Sequence, residues 1–233
     1  MRILAVILSC MKNNRLWRNI AARMDKDIVI FVGGAESTHF DELNKVLYLK
    51  CRDTYDGLPE KMICMIDTIL KMDCFSDVTH IIKIDDYDTM WDKSHIDNLY
   101  TIPELKTHHY IGQNKHSMAN KFNVRYHYDK IRIPCYWFRR PYIGDNIVEY
   151  LLGGDTYILS RHAMILINNT YNITHIETIY KKEIYEDLMI GQILAKHDIF
   201  PIVINYNIKC DLLAVKNRPF LEQNYLDFIL LKN

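Results

Sequence analysis

The sequence predicts an α/β protein with a mixed, mostly parallel sheet flanked by helices. Strand-like segments such as Ile3–Ser9 and Thr79–Ile84 alternate along the chain with segments of helical periodicity. Ile3–Ser9 is a continuous apolar run, which is typical of a strand that is covered on both faces. A strand–helix–strand order favours parallel pairing, and such folds bind ligands beyond the carboxyl ends of their strands.

The first hundred residues carry the clearest elements. Leu58–Met72 is the strongest helix, because its apolar residues form one face and Pro59 suits the first turn. A second helix is predicted at Asn14–Met24. The predicted strands of this part are Ile3–Ser9, Asp27–Val32, Val46–Leu49 and Thr79–Ile84.

The remainder of the chain is less regular. Residues 106–140 are polar, aromatic and irregular. We predict a strand at Tyr157–Leu159 and helices at Arg161–Asn168 and Glu186–His197. Since no repeat, low-complexity tract or linker divides the chain, we expect a single domain over residues 1–233.

Composition argues against several classes of protein. Lys+Arg and Asp+Glu each number 29, so the formal net charge is zero and no basic surface for nucleic acid is indicated. The apolar run Ile3–Leu8 is shorter than the core of a signal peptide. No segment reaches the roughly 20 apolar residues that span a bilayer. We therefore expect a soluble, cytoplasmic protein without a transmembrane segment or a nucleic-acid partner.

The acidic stretch HIIKIDDYDTMW, from His80 to Trp91, is the first candidate site. Asp85, Asp86 and Asp88 follow a buried strand directly, and their mutual repulsion needs relief. Asp86 and Asp88 could hold a hard divalent cation that keeps open positions for phosphate oxygens. A solvated turn with capping aspartates is the alternative.

Two further segments could form a site with it. Gly153 and Gly154 precede a predicted strand and would let the backbone approach a ligand, although a tight turn needs the same residues. Glu186 and Asp187 open a predicted helix, where a base or an ordinary N-terminal cap would both be stabilised. The sequence has no HExxH, GxSxG, Walker-A or GxGxxG motif, which argues against zinc, hydrolase, NTPase and dinucleotide sites.

The order of these segments resembles the β1,3-galactosyltransferase/Fringe family of inverting glycosyltransferases. Lys83–Asp88 is similar to the family's K-x-D-D-D metal motif, Leu152–Ser160 to its G-G-x-Y-x-L-S block and Glu186–Gly191 to its E-D-V-x-x-G motif. Asp53–Lys61 resembles the segment D-x-Y-x-N-L-T-x-K, with Gly and Pro where Asn and Thr are usual. The segments Ile3–Ser9 with Arg15–Arg18, and Phe31–Gly33, resemble the family's opening blocks.

The resemblance implies a GT-A (Rossmann-like) fold and an activity. Residues 1–100 would form a nucleotide-sugar-binding half, and residues 101–233 an acceptor and catalytic half. The enzyme would move a hexose or N-acetylhexosamine from a UDP-sugar to a hydroxyl of a glycan or glycoprotein. The new bond would be a β-linkage, β1,3 by the family's name, and Mn²⁺ or Mg²⁺ would be the cofactor.

The resemblance also implies a role for individual residues. Asp187 would be the general base that takes the proton of the acceptor hydroxyl. The metal ligands would be Asp88 and Asp86, and the donor contacts Arg15, Lys61, Asp85 and Asp86. The acceptor side would be formed by Trp137, Gly153, Gly154, Asp155 and Glu186.

The chain departs from the family pattern in three respects. Tyr87 interrupts the run of aspartates, no histidine follows His197, and we expect no membrane anchor of the kind that family members carry. A microbial or large-virus enzyme, acting in the host-cell cytoplasm, would fit a composition rich in Ile, Asn, Lys and Tyr.

Two other functions remain open at the level of sequence. The first is a catalytically inactive nucleotide-sugar- or glycan-binding module of the same fold, although a binder needs no base. The second is a metal-dependent nucleotidyltransferase, which would need a triphosphate loop after the first strand, and no Gly/Arg/Lys-rich segment stands there.

Overall fold

An eight-stranded sheet forms the centre of the protein. The computed structural model describes residues 1–23, 27–86, 93–116, 148–183 and 185–204. A separate two-stranded sheet pairs β7 (Lys115–His116) with β8 (Tyr150–Leu151). The strands of the large sheet are β1 Ile3–Leu8, β2 Ile28–Val32, β3 His39–Asp41, β4 Val46–Tyr48, β5 His80–Asp85, β6 Tyr110–Gly112, β9 Tyr157–Ser160 and β10 Ile202–Val203.

The sheet is mixed and mostly parallel, which confirms the predicted fold class. The strand order is β10-β6-β9-β5-β1-β2-β4-β3. Strand β1 pairs in parallel with both β2 and β5, β2 with β4, and β10 with β6. The antiparallel pairs are those of β9 with β5 and β6, and that of β3 with β4.

Helices cover both faces of this sheet. Successive side chains of a strand point to opposite faces, so Leu4 and Val6 join one buried cluster while Ile3 and Ala5 join the other. None of the described helices is long and apolar enough to cross a membrane. The helices are α1 Asn14–Arg23, α2 Leu58–Lys71, α3 Lys93–Leu99, α4 Arg161–Thr170, α5 Ile176–Lys182 and α6 Glu186–Ala195.

The topology places a crevice between β1 and β5. From β1 the chain adds β2 and β4 on one side and then returns to add β5 on the other side. At such a reversal the connections diverge, which opens a crevice at the carboxyl ends of the two strands. Leu8 of β1 is opposite Asp85 of β5, and the Asp86 N–H donates to the Leu8 carbonyl over 3.1 Å. The described part of the acidic stretch therefore lies where the fold favours ligand binding.

Both predicted halves of the chain, residues 1–100 and 101–233, contribute strands to the large sheet. Strand β9, from the second half, inserts between β5 and β6. Because residues 117–147 and 205–233 lie outside the described residues, the organisation of residues 1–233 as one domain stays a prediction.

Candidate active site

A cavity of about 270 Å³ lies at the carboxyl ends of β1 and β5. Three segments form its walls: the end of β1 with the residues that follow it, the segment before α2 with the first turn of α2, and the end of β5. Its volume is close to the lower limit of roughly 300 Å³ for small-molecule sites. The lining includes Ser9, Lys12, Thr54, Tyr55, Asp85 and Asp86.

The carboxylate of Asp86 is held by side chains that follow β1. The Ser9 hydroxyl and the Asn13 amide each donate to Asp86 Oδ2 over 2.7 Å. The indole N–H of Trp17 in turn donates to Ser9 Oγ over 2.8 Å, and all the atoms of that second bond are buried. Asp86 is itself buried. Its carboxylate is therefore fixed in orientation at the edge of the cavity.

A buried ion pair fixes the opposite wall. The ammonium of Lys61, which is 2% exposed, donates to Asp53 Oδ1 over 2.6 Å and to the Ser9 carbonyl over 2.9 Å. The Asp53 carboxylate also accepts from the N–H groups of Gly33, at 3.0 Å, and Met11, at 2.7 Å. These bonds tie the ends of β1 and β2 to the segment before α2. Lys61 and Asp53 both line the cavity.

A second buried lysine lies on the other side of Asp85. The Lys83 ammonium donates to Asp85 Oδ1 over 2.5 Å and to the Gly153 carbonyl over 2.6 Å. Glu186 Oε1 is 3.5 Å from the same nitrogen. Burial alone would lower the pKa of Lys83, but the carboxylates of Asp85 and Glu186 outweigh burial and raise it above the ordinary lysine value.

Asp187 lies in the first turn of α6. Its Oδ2 accepts from the Gly153 N–H over 3.2 Å, and its Oδ1 from the Leu188 N–H over 2.8 Å. Burial raises the pKa of Asp187, whereas these two N–H groups and the charge of Lys83 act in the opposite direction. A carboxylate with a raised pKa and a fixed orientation is suited to accept a proton.

Glu186, beside it, is almost fully enclosed. It is 5% exposed, and the Tyr157 hydroxyl donates to its Oε1 over 3.2 Å. Burial raises the pKa of Glu186 to about 7, with Lys83 opposing the shift and Asp187 adding to it. The Glu186 side chain is therefore directed toward Tyr157 and Lys83 in the protein interior.

The remaining predicted site residues are either outside the described lining of the cavity or outside the described residues. Arg15 is exposed on α1 and is absent from the described lining of the cavity. Gly154 is exposed, and Asp155 Oδ2 accepts from the Asn114 amide over 3.2 Å. The predicted metal ligand Asp88 and the predicted acceptor contact Trp137 lie outside the described residues.

The residues that hold the candidate site in place are not predicted from the sequence. Ser9 enters there only as the end of a strand and Lys83 only as part of the acidic motif, and Trp17 has no role beyond its place in the helix predicted at Asn14–Met24. A polar residue at the end of a continuous apolar run was the available signal, since a buried polar group needs a partner. That signal indicates that a partner exists without identifying it.

The carboxylates at the cavity suit a divalent cation in part. Mn²⁺ and Mg²⁺ prefer oxygen ligands, and Asp85 and Asp86 each use one carboxylate oxygen in the bonds to described residues given above. In the described ranges, no group of three His, Cys, Asp or Glu side chains could hold a metal. The two carboxylates could therefore supply only part of the coordination of such an ion.

Comparison with known proteins adds a family assignment. A family model described as Galactosyltransferase matches residues 22–204 of the 233. This range includes Asp53, Asp86, Gly153 and Asp187. A search of curated proteins finds no match.

Solved structures show only a weak likeness. A cytidylyltransferase from Leptospira borgpetersenii serovar Hardjo-bovis is 9% identical, with a TM-score of 0.41 over 88% of this chain and 76% of that one. A 4-diphosphocytidyl-2C-methyl-D-erythritol synthase from Anaerococcus prevotii is 11% identical, with a TM-score of 0.40 over 89% of each chain. Nothing about the activity of this protein follows from such low TM-scores.

Proposed function

Because the chain belongs to the galactosyltransferase family, we propose that it is a metal-dependent, inverting glycosyltransferase. It moves a hexose or N-acetylhexosamine from a UDP-sugar to a hydroxyl of a glycan or glycoprotein, with a β-linkage. One observation carries this proposal: the acidic end of β5 lines a cavity and is connected through Lys83 and Gly153 to Asp187. Hydrogen bonds thereby connect the proposed donor site to the proposed base.

The cavity is the proposed donor site. Tyr55 offers an aromatic ring to a nucleobase, and Lys12 a positive charge to a diphosphate. Asp86, with Asp88 from outside the described residues, would hold Mn²⁺ or Mg²⁺. When bound, the ion neutralises the charge of the UDP leaving group.

Asp187 is the proposed general base. It accepts the proton of the acceptor hydroxyl while that oxygen forms a bond to the anomeric carbon of the donor. The bond from the anomeric carbon to the diphosphate oxygen breaks, and its electron pair leaves with UDP. A single displacement from the opposite face inverts the anomeric configuration, which requires one base and no covalent intermediate.

A panel of UDP-sugars with Mn²⁺ and a mixture of glycan acceptors tests the proposal. Release of UDP from one donor, abolished by EDTA and dependent on acceptor, is the expected result. Release that is unaffected by EDTA would contradict the metal dependence. Binding of UDP without release from any donor would favour an inactive binding module.

A further inference from the structure

Lys83 occupies a position where a lysine is costly. It lies in the middle of the sheet, 2% exposed, and antiparallel pairing places it opposite Tyr157 of β9. A buried ammonium loses its hydration, so it needs charged and hydrogen-bonding partners to remain in the fold. One partner, Asp85, lies on the same strand, and the other two, the Gly153 carbonyl and Glu186 of α6, are distant in sequence. The lysine therefore fixes the end of β5 relative to α6.

The backbone of Gly153 connects Lys83 to Asp187 by two hydrogen bonds. Its carbonyl accepts from Lys83 over 2.6 Å, and its N–H donates to Asp187 Oδ2 over 3.2 Å. A Cβ atom at this position would stand 2.9 Å from Glu186 Oε2 and 3.0 Å from Oε1. Any other residue at this position would therefore require the Glu186 carboxylate to shift. The bonds thus run without interruption from Lys83 through Gly153 to Asp187.

Stability alone is a weak reason for this arrangement. Buried ion pairs can often be replaced by well-packed apolar residues at little cost to stability, and sometimes with a gain. Position matters more to a base, because a displacement of about 1 Å can lower a rate by about 100-fold. We infer that Lys83 is a positioning residue, which holds Asp187 in its reactive place through the backbone of Gly153. This inference rests on the transferase function proposed above.

Lys61 provides a matched comparison. It too is 2% exposed, and its ammonium also binds one carboxylate and one backbone carbonyl, those of Asp53 and Ser9. Its bonds lead to the wall of the cavity alone, whereas those of Lys83 reach both Asp85, which lines the cavity, and Gly153, which binds Asp187. The two lysines are alike in burial and differ in the second group that they hold, so a comparison of their losses of kcat and of UDP affinity separates positioning of the base from donor binding.

The experiment compares Lys83→Met, Lys61→Met and the surface control Lys71→Met in the full chain. For each variant, kcat and KM are measured with the active UDP-sugar, and the UDP Kd is measured by calorimetry with Mn²⁺. We expect Lys83→Met to lower kcat about 100-fold and to keep the UDP Kd within about threefold of wild type. Lys61→Met should mainly weaken UDP binding, by about tenfold, and Lys71→Met should change neither constant.

Thermal unfolding shows whether each variant folds. If Lys83→Met does not fold, the double variant Lys83→Met/Glu186→Gln, which removes both charges, takes its place with the same expected values. A folded Lys83 variant with kcat within about threefold of wild type would overturn the inference, and so would a loss of UDP affinity as large as the loss of kcat. Absence of transfer by the wild-type chain would instead refute the proposed function, and the inference with it.

Discussion

Replacing Ser9 by Ala tests whether the orientation of Asp86 is built into the fold. The Ser9 hydroxyl donates to Asp86 Oδ2 over 2.7 Å and accepts from the Trp17 indole over 2.8 Å. A hydrogen bond to a charged group contributes about 1.5–3 kcal/mol, and a buried donor left without a partner costs about 1–3 kcal/mol. We therefore expect the free energy of unfolding to fall by about 3 kcal/mol, which lowers Tm by roughly 6–12 °C in a chain of this length.

The assay combines urea unfolding of the apoprotein with calorimetry of UDP in Mn²⁺. Since the Asp86 carboxylate loses one of the two hydrogen bonds described for it, UDP affinity should also weaken about tenfold in Mn²⁺. Ser37→Ala is the control, because Ser37 is exposed and such substitutions change stability by less than about 0.5 kcal/mol. A Ser9→Ala protein that matches this control in both measurements would refute the reasoning.

Three other predictions concern α6. Asp187→Asn should lower transfer about 1,000-fold with an unchanged UDP Kd; transfer near the wild-type rate would remove Asp187 as the base. Burial raises the pKa of Asp187, so kcat/KM should rise with pH over a range that lies above the one in which an ordinary aspartate loses its proton. A value of kcat/KM that does not change over that higher range would contradict a role for Asp187 as the base. The pKa of Glu186, raised from 4.5 to about 7, makes its folded form bind a proton more tightly than its unfolded form. The contribution of Glu186 to the free energy of unfolding therefore has its full value below about pH 4.5 and declines as the pH rises to about 7. In urea unfolding, the stability of wild type relative to Glu186→Gln should fall by up to about 3 kcal/mol over this window, and a constant difference would be the contrary result.

The sequence contained enough information for the centre of the fold. A continuous apolar run predicts a strand at Ile3–Ser9, found at Ile3–Leu8, and a strand is also predicted at Thr79–Ile84 and found at His80–Asp85. The first run is clear because a strand buried on both faces has few polar positions to interrupt it. The helix predicted at Leu58–Met72 ends one residue earlier, at Lys71.

The short strands β3 and β6 were not predictable in the same way. Strands β3 and β6 have three residues each, too few to show a periodicity. The turn between β3 and β4 contains Lys45 at φ 58°, a left-handed conformation that a lysine does not signal in a sequence. Residues 106–140 were described as irregular, yet Tyr110–Gly112 is a strand. It is held between β9 and β10, neighbours that become visible only in three dimensions.

The candidate site shows the same division between local and distant information. Asp85, Asp86 and Asp187 could be found from short motifs, because each motif is continuous in sequence. Their partners could not: Ser9 is 77 residues from Asp86, and Lys83 is 70 residues from Gly153. A single sequence gives no record of which distant residues meet, so the positioning groups emerged only with the fold.

The anomeric configuration of the product tests the central claim most directly. With the donor found in the UDP-sugar panel, proton NMR of the product gives the configuration of the transferred sugar, and Asp187→Asn serves as the inactive control. From an α-linked donor we predict a β-linked product, since one displacement assisted by Asp187 inverts the centre. An α-linked product, formed with retention, would contradict the proposed displacement and the role of Asp187.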